Sequence, residues 1–137
     1  MANSFEVSID VAAPPGEVWA LAGDPARVGE WFAPVVECEM DGDVRRVVMG
    51  NGAVLRERIT PRDGRSYAYS VLEGIPGLTR HEAVITVDDA PGGARVRWSQ
   101  DAASDVEGYD AEARLRKVME QGLEALRDML EGTGGGG

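Results

Sequence analysis

The chain has 137 residues, with 24 acidic and 14 basic side chains and a formal charge of −10, a length that supports one domain around a single core. So acidic a surface repels phosphate backbones and anionic headgroups, which argues against nucleic-acid or membrane-surface binding, and no apolar run approaches the roughly 20 residues that span a bilayer. A single cysteine, Cys38, and a single histidine exclude an internal disulfide and leave too few soft ligands for a transition-metal site, so the expectation is a cytoplasmic protein with no metal or other cofactor.

Phe5, Val7, Ile9 and Val11 alternate with polar residues and predict a first strand with one apolar face. Pro14-Pro15 ends it and opens a short helix carrying Val18, Trp19 and Leu21. Asp24-Pro25 starts a second, bearing Val28, Trp31 and Phe32, which Pro34 closes. Six further strands follow. Val36, Cys38 and Met40 are expected to face one way in the first of these, with Glu37 and Glu39 facing the other. Turns at Asp41-Gly42-Asp43, Asn51-Gly52, Arg62-Asp63-Gly64, Gly74 to Gly77 and Pro91-Gly92-Gly93 separate the rest.

The last long segment, Ser104 to Gly132, carries Leu115, Val118, Met119, Gly122, Leu123, Leu126, Met129 and Leu130 at helical spacing. Ser104 with Glu107 reads as a capping box and Gly132 as a stop. About 25 residues at roughly 1.5 Å each make a helix nearly 40 Å long. Gly122 would leave room for a neighbour or a ligand on the buried face. One domain over 1–132 and a disordered glycine tail over 133–137 complete the expectation.

Hairpin register points to a candidate site. A two-residue Asn51-Gly52 loop pairs Val48 with Leu55, Arg46 with Glu57 and Val44 with Ile59, and the apolar pairs mark that face as inward. The next hairpin then sets Glu57 opposite Tyr69, and parity puts His81 inward as well. Arg46, Glu57, Tyr69 and His81 would form a polar band across a concave apolar face, either as a satisfied structural ion pair or as the chemical wall of a cavity. In the second case Glu57 or His81 takes a proton α to a carbonyl, while Arg46 and Tyr69 stabilise the enolate oxygen. Trp31, Cys38, Tyr67, Trp98, Gln100, Met119 and Gly122 are the candidate ligand wall, although Trp31 and Trp98 also suit plain core and Cys38 an inert buried thiol. Glu37, Glu39, Arg45, Arg56, Arg58, Arg95 and Arg97 are expected to face outward, which leaves no apolar patch there.

The order strand, two short helices, six strands and long helix resembles the α+β helix-grip fold of the START/Bet v 1-like (SRPBCC) superfamily. Pro14, Val18 and Trp19, Asp24 with Trp31 and Pro34, Gly42–Arg46, Gly52, Glu57, Asp63, Tyr67 and Tyr69, Glu73-Gly74 with Pro76, and Trp98 are similar to its bacterial polyketide cyclase/dehydrase-like branch. The resemblance implies a seven-stranded curved antiparallel sheet gripping the C-terminal helix; a monomer or homodimer is expected. It also implies an apolar or aromatic, polyketide- or lipid-like ligand between the two, with cyclisation or dehydration as the possible chemistry. A non-catalytic carrier or sensor, or a protein-interaction module like the Hsp90-activator relatives, are the alternatives it leaves open.

Overall fold

The computed structural model describes the backbone of residues 2–135 and the side chains of residues 4–131. Strand β1 (Ala2–Val11) leads into helix α1 (Pro15–Ala22), a 3-10 turn (Pro25–Arg27) and helix α2 (Val28–Trp31). Proline opens both α1 and the 3-10 turn, and the Asp24 carboxylate accepts from the Ala26 N–H at 3.0 Å to cap the latter. Then come β2 (Val35–Asp41), β3 (Val44–Met49), β4 (Val54–Arg62), β5 (Ser66–Glu73), β6 (Leu78–Ala90), β7 (Gly93–Ser104) and helix α3 (Ala111–Gly135). The seven strands form one antiparallel sheet in the order β1-β7-β6-β5-β4-β3-β2. This is the expected helix-grip architecture, a curved seven-stranded sheet with α3 across its inner face.

The core lies between that inner face and the helices. Val7, Val96, Trp98, Ile85 and Ile59 of the sheet meet Val18 and Leu21 of α1 and Met119, Leu123 and Leu126 of α3. Each large apolar side chain so buried contributes roughly 1.5–3 kcal/mol. The outer face is charged instead: Arg95 pairs with Asp10, Arg97 with Asp88, Arg56 with Glu73 and Arg80 with Asp101 across strands, and Arg58 pairs with Asp43 in the β2–β3 turn. None of the described helices is long and apolar enough to cross a membrane.

Four expectations are corrected. First, Asn51-Gly52 does not make a two-residue type I′ hairpin, because that turn needs positive φ at Asn51 and no non-glycine residue among those described has it. Instead Met49 N–H donates to the Ala53 carbonyl, Gly52 N–H returns to Met49, and the Asn51 side chain accepts from Ala53 N–H at 2.9 Å. The loop is one residue longer, so Val47 pairs with Leu55, Arg45 with Glu57 and Arg46 with Arg56. A one-residue slip turns every β3 side chain over. Arg45 is therefore inside, 2 % exposed, and Arg46 is outside, reaching Glu39 at 3.8 Å.

Second, the β4–β5 hairpin slips by two, which keeps the faces: Ile59 lies opposite Tyr69 and Glu57 opposite Val71. Third, α3 begins at Ala111, not near Ser104, and runs past Gly132. Gly108 takes φ +78°, which breaks any helix there, and the Asp110 carboxylate caps the real start by accepting from Ala113 N–H at 3.1 Å. Ser104 ends β7, where its hydroxyl donates to the Gly77 carbonyl and accepts from Val106 N–H. Of the expected glycine tail, 136–137 lie outside the described residues. Fourth, Val36 and Met40 on β2 are exposed while Val35 is buried, because the ladder shifts register between Val35 and Glu37.

Candidate functional site

Beneath the first half of α3 the sheet and helix do not meet fully. They leave a cavity of about 180 Å³ whose wall is mainly apolar, from Val28, Phe32, Val47, Leu55, Leu115, Val118 and Met119. Arg45 and Glu57 of β3 and β4, Tyr69 of β5, His81 of β6, and Trp98 and Gln100 of β7 supply its sheet side. Thus Glu57, Tyr69, His81, Trp98, Gln100 and Met119 are brought together. Tyr67 and Cys38 stand behind this wall, and Trp31 and Gly122 border a separate cleft with Gln121 on the helix side.

Gly122 does not open the cavity. A Cβ there would stand 2.7 Å from Phe32 Cδ1. The glycine makes room for the Phe32 ring, and that ring is itself cavity wall. Phe32 and Trp31 both meet Trp98 edge to face, with centroids 5.2 and 5.4 Å away.

Arg45 organises the wall, and parity misplaced it by one residue. Its Nε donates to Glu57 Oε1 at 2.7 Å, and its Nη1 donates to the Pro25 carbonyl at 3.0 Å and the Tyr67 hydroxyl at 3.4 Å. The guanidinium also sits 4.9 Å from the centre of the Tyr69 ring. Burial opposes its charge, but Tyr67 and Glu57 outweigh burial and hold its pKa above the ordinary arginine value. No group among the described residues takes up Arg45 Nη2 or Glu57 Oε2. Neither atom is sealed off, since the one fully buried, unpartnered side-chain polar atom among the described residues is Trp31 Nε1. The ion pair therefore presents a spare donor and a spare acceptor to the cavity.

The second polar feature is a relay with a fixed direction. Val71 N–H donates to His81 Nδ1 at 3.2 Å, so the proton of a neutral imidazole must lie on Nε2. That N–H donates to Gln100 Oε1 at 2.7 Å. The Gln100 amide nitrogen then donates to the Tyr69 hydroxyl at 3.3 Å, and the Trp98 indole donates to the same oxygen at 3.1 Å. Burial lowers the His81 pKa against the pull of Gln100, and it raises that of Tyr69. Both His81 ring nitrogens are thus engaged, Nδ1 by Val71 N–H and Nε2 by Gln100 Oε1. Burial also raises the pKa of Cys38, whose thiol contacts the Pro25 carbonyl, and so disfavours a thiolate there.

Among the described residues no group of three or more His, Cys, Asp or Glu side chains is arranged to hold a metal ion. The profile of the family described as "Polyketide cyclase / dehydrase and lipid transport" matches residues 2–131. The chain belongs to this family. Solved structures share the fold of this polyketide cyclase/dehydrase and lipid-transport member. The protein XoxI from Bacillus cereus superposes with a TM-score of 0.84 at 23% identity, covering 93% of this chain and 95% of that one. A putative uncharacterized protein from Bacillus thuringiensis follows at 0.79 and 20%, over 95% and 98% of the two chains. A START superfamily protein from Mycobacterium smegmatis gives 0.75 at 14%, over 96% and 98%. No curated protein sequence matches the chain.

Proposed function

We propose that this protein is a binding domain that takes a compact, mainly apolar molecule into the cavity beneath α3. One observation carries the reading: an apolar chamber whose few polar atoms, Arg45 Nη2, Glu57 Oε2 and the Tyr69 hydroxyl, converge on one wall. The family's description supports it, and a lone, inert thiol suits a cytoplasmic setting. Native mass spectrometry of the purified protein tests it. A co-purifying small molecule that is lost in the cavity-filling variant Val118→Trp is the expected result. No added mass, together with no saturable binding of any apolar probe, overturns it.

A second reading is favoured by the uncommitted Glu57 Oε2. In it Glu57 removes a proton α to the carbonyl of a bound ketone, and Arg45 and Tyr69 stabilise the enolate oxygen, as the first step of a cyclisation or dehydration. Exchange of α-hydrogens for deuterium in a bound methyl ketone, followed in heavy water, reports this step directly. Glu57→Gln should abolish exchange and keep binding. Exchange no faster than in buffer leaves a carrier or sensor.

A further inference from the structure

Resting on the cavity-binding reading, we infer that the ligand is a neutral molecule of about one ring whose oxygen acceptor, a carbonyl for instance, faces Tyr69. A carboxylic acid or a fused polycycle does not suit the same wall.

The relay fixes the chemistry of the first contact. Trp98 Nε1–H is only a donor, and the direction imposed by Val71 and His81 makes the Gln100 amide a donor as well. The Tyr69 oxygen therefore accepts two hydrogen bonds, and its own hydrogen has no acceptor among the described residues. Tyr69 is 7 % exposed and borders the cavity, so that hydrogen is available to an acceptor inside it. Because burial keeps the phenol protonated, it stays a donor at any ordinary pH.

Charge decides between a carbonyl and a carboxylate. The Arg45–Glu57 pair is formally neutral, with side chains only 3 % and 8 % exposed. His81 is held neutral beside it. An anionic ligand would leave water for a wall with no net positive charge and with the Glu57 carboxylate facing it, which is unfavourable. A neutral carbonyl meets the Tyr69 hydroxyl and Arg45 Nη2 without that penalty.

Volume sets the size. An apolar cavity of about 150 Å³ holds a benzene ring. The present chamber, about 180 Å³, admits one substituted ring and not three.

The test uses four probes on the unmodified protein at pH 7.5: toluene, acetophenone, benzoate and anthrone, titrated while the Trp98 indole N–H resonance is followed. Toluene should bind weakly, and acetophenone about tenfold more tightly, the worth of one good hydrogen bond. Benzoate and anthrone should not shift the resonance. Tyr69→Phe should weaken acetophenone severalfold toward the toluene level, with Arg45 Nη2 remaining as a donor, and should change toluene far less. If that variant does not fold, the probe order in the unmodified protein still decides. Benzoate or anthrone binding as tightly as acetophenone overturns the inference, and so does acetophenone binding no better than toluene, while in each case cavity binding survives. If no probe binds, toluene included, the cavity-binding reading fails and the inference falls with it.

Discussion

Arg45 and Glu57 face each other across the β3–β4 ladder, joined at 2.7 Å and both withdrawn from solvent, while Arg46, one residue on, stands in water. Removing the guanidinium strands a buried carboxylate. Arg45→Met is therefore expected to cost about 3–5 kcal/mol, or somewhat less where cavity water solvates Glu57. Arg46→Met should stay within about 0.5 kcal/mol, as exposed substitutions do. Urea unfolding of the two variants side by side checks this. Equal losses would contradict the register described above.

Protonating His81 would place a hydrogen on Nδ1, against Val71 N–H. Its pKa is lowered in the folded protein, so the unfolded chain binds the extra proton first. Stability is then full above about pH 6.5 and falls as pH drops below it, by at most about 1.4 kcal/mol per pH unit for this one group. Denaturant midpoints at pH 7.5 and 5.5 should show the loss, and His81→Gln should remove most of it. Asp10, Glu30 and Asp88 also have lowered pKa values through their arginine partners, but they titrate further down.

Gly122 faces the Phe32 ring too closely for a side chain. Gly122→Leu should overpack this contact and destabilise the protein by about 1–3 kcal/mol. Combining it with Phe32→Ala should cost less than the two changes summed, because the intruding side chain then fills the vacated space. A strictly additive pair would mean that the helix yields and the ring does not.

The start of α3 offers a fourth check. Asp110→Ala should lose about 1 kcal/mol of stability through the missing cap, whereas Glu107→Ala should be nearly silent. Had Ser104 and Glu107 formed a capping box, the second change would also register.

The fold was legible because its apolar periodicities are long: β1, β6, β7 and α3 each carry several turns or pleats of consistent pattern. Glu57 was placed correctly because Leu55 and Ile59 flank it on the same face. β3 was not legible in this way. In Val-Arg-Arg-Val-Val-Met each face holds one arginine among apolar residues, so alternation does not tell the faces apart and the turn decides. The turn depends on how the Asn51 side chain bonds, and on Gly50 N–H reaching the Pro34 carbonyl far away in the sequence, a tie that local pattern does not encode. The same holds for the direction of the His81–Gln100–Tyr69 relay. It is set by Val71 N–H, which is free for His81 because β5 and β6 pair only from Ser66↔Thr86 to Tyr69↔Ala83.

That short pairing divides the sheet into two panels along a narrow hinge line. Arg45, Glu57 and Tyr69 ride on the panel of β2 to β5, whereas His81, Trp98 and Gln100 ride on the panel of β6, β7 and β1. β6 and β7 are laced together from Leu78↔Ser104 to Ala90↔Gly93, and β1 is paired to β7 along its whole length, so the second panel is continuously bonded. Three side-chain hydrogen bonds, from Val71 to His81 and from Trp98 and Gln100 to Tyr69, pin one plate to the other past the end of the ladder. A change in the angle between the panels would turn the tyrosine hydroxyl relative to the space in front of it, whereas Arg45 and Glu57 lie together on one panel. The backbone amide of Val71 should accordingly exchange with solvent sooner than those of Tyr67 and Tyr69, which belong to the paired seam.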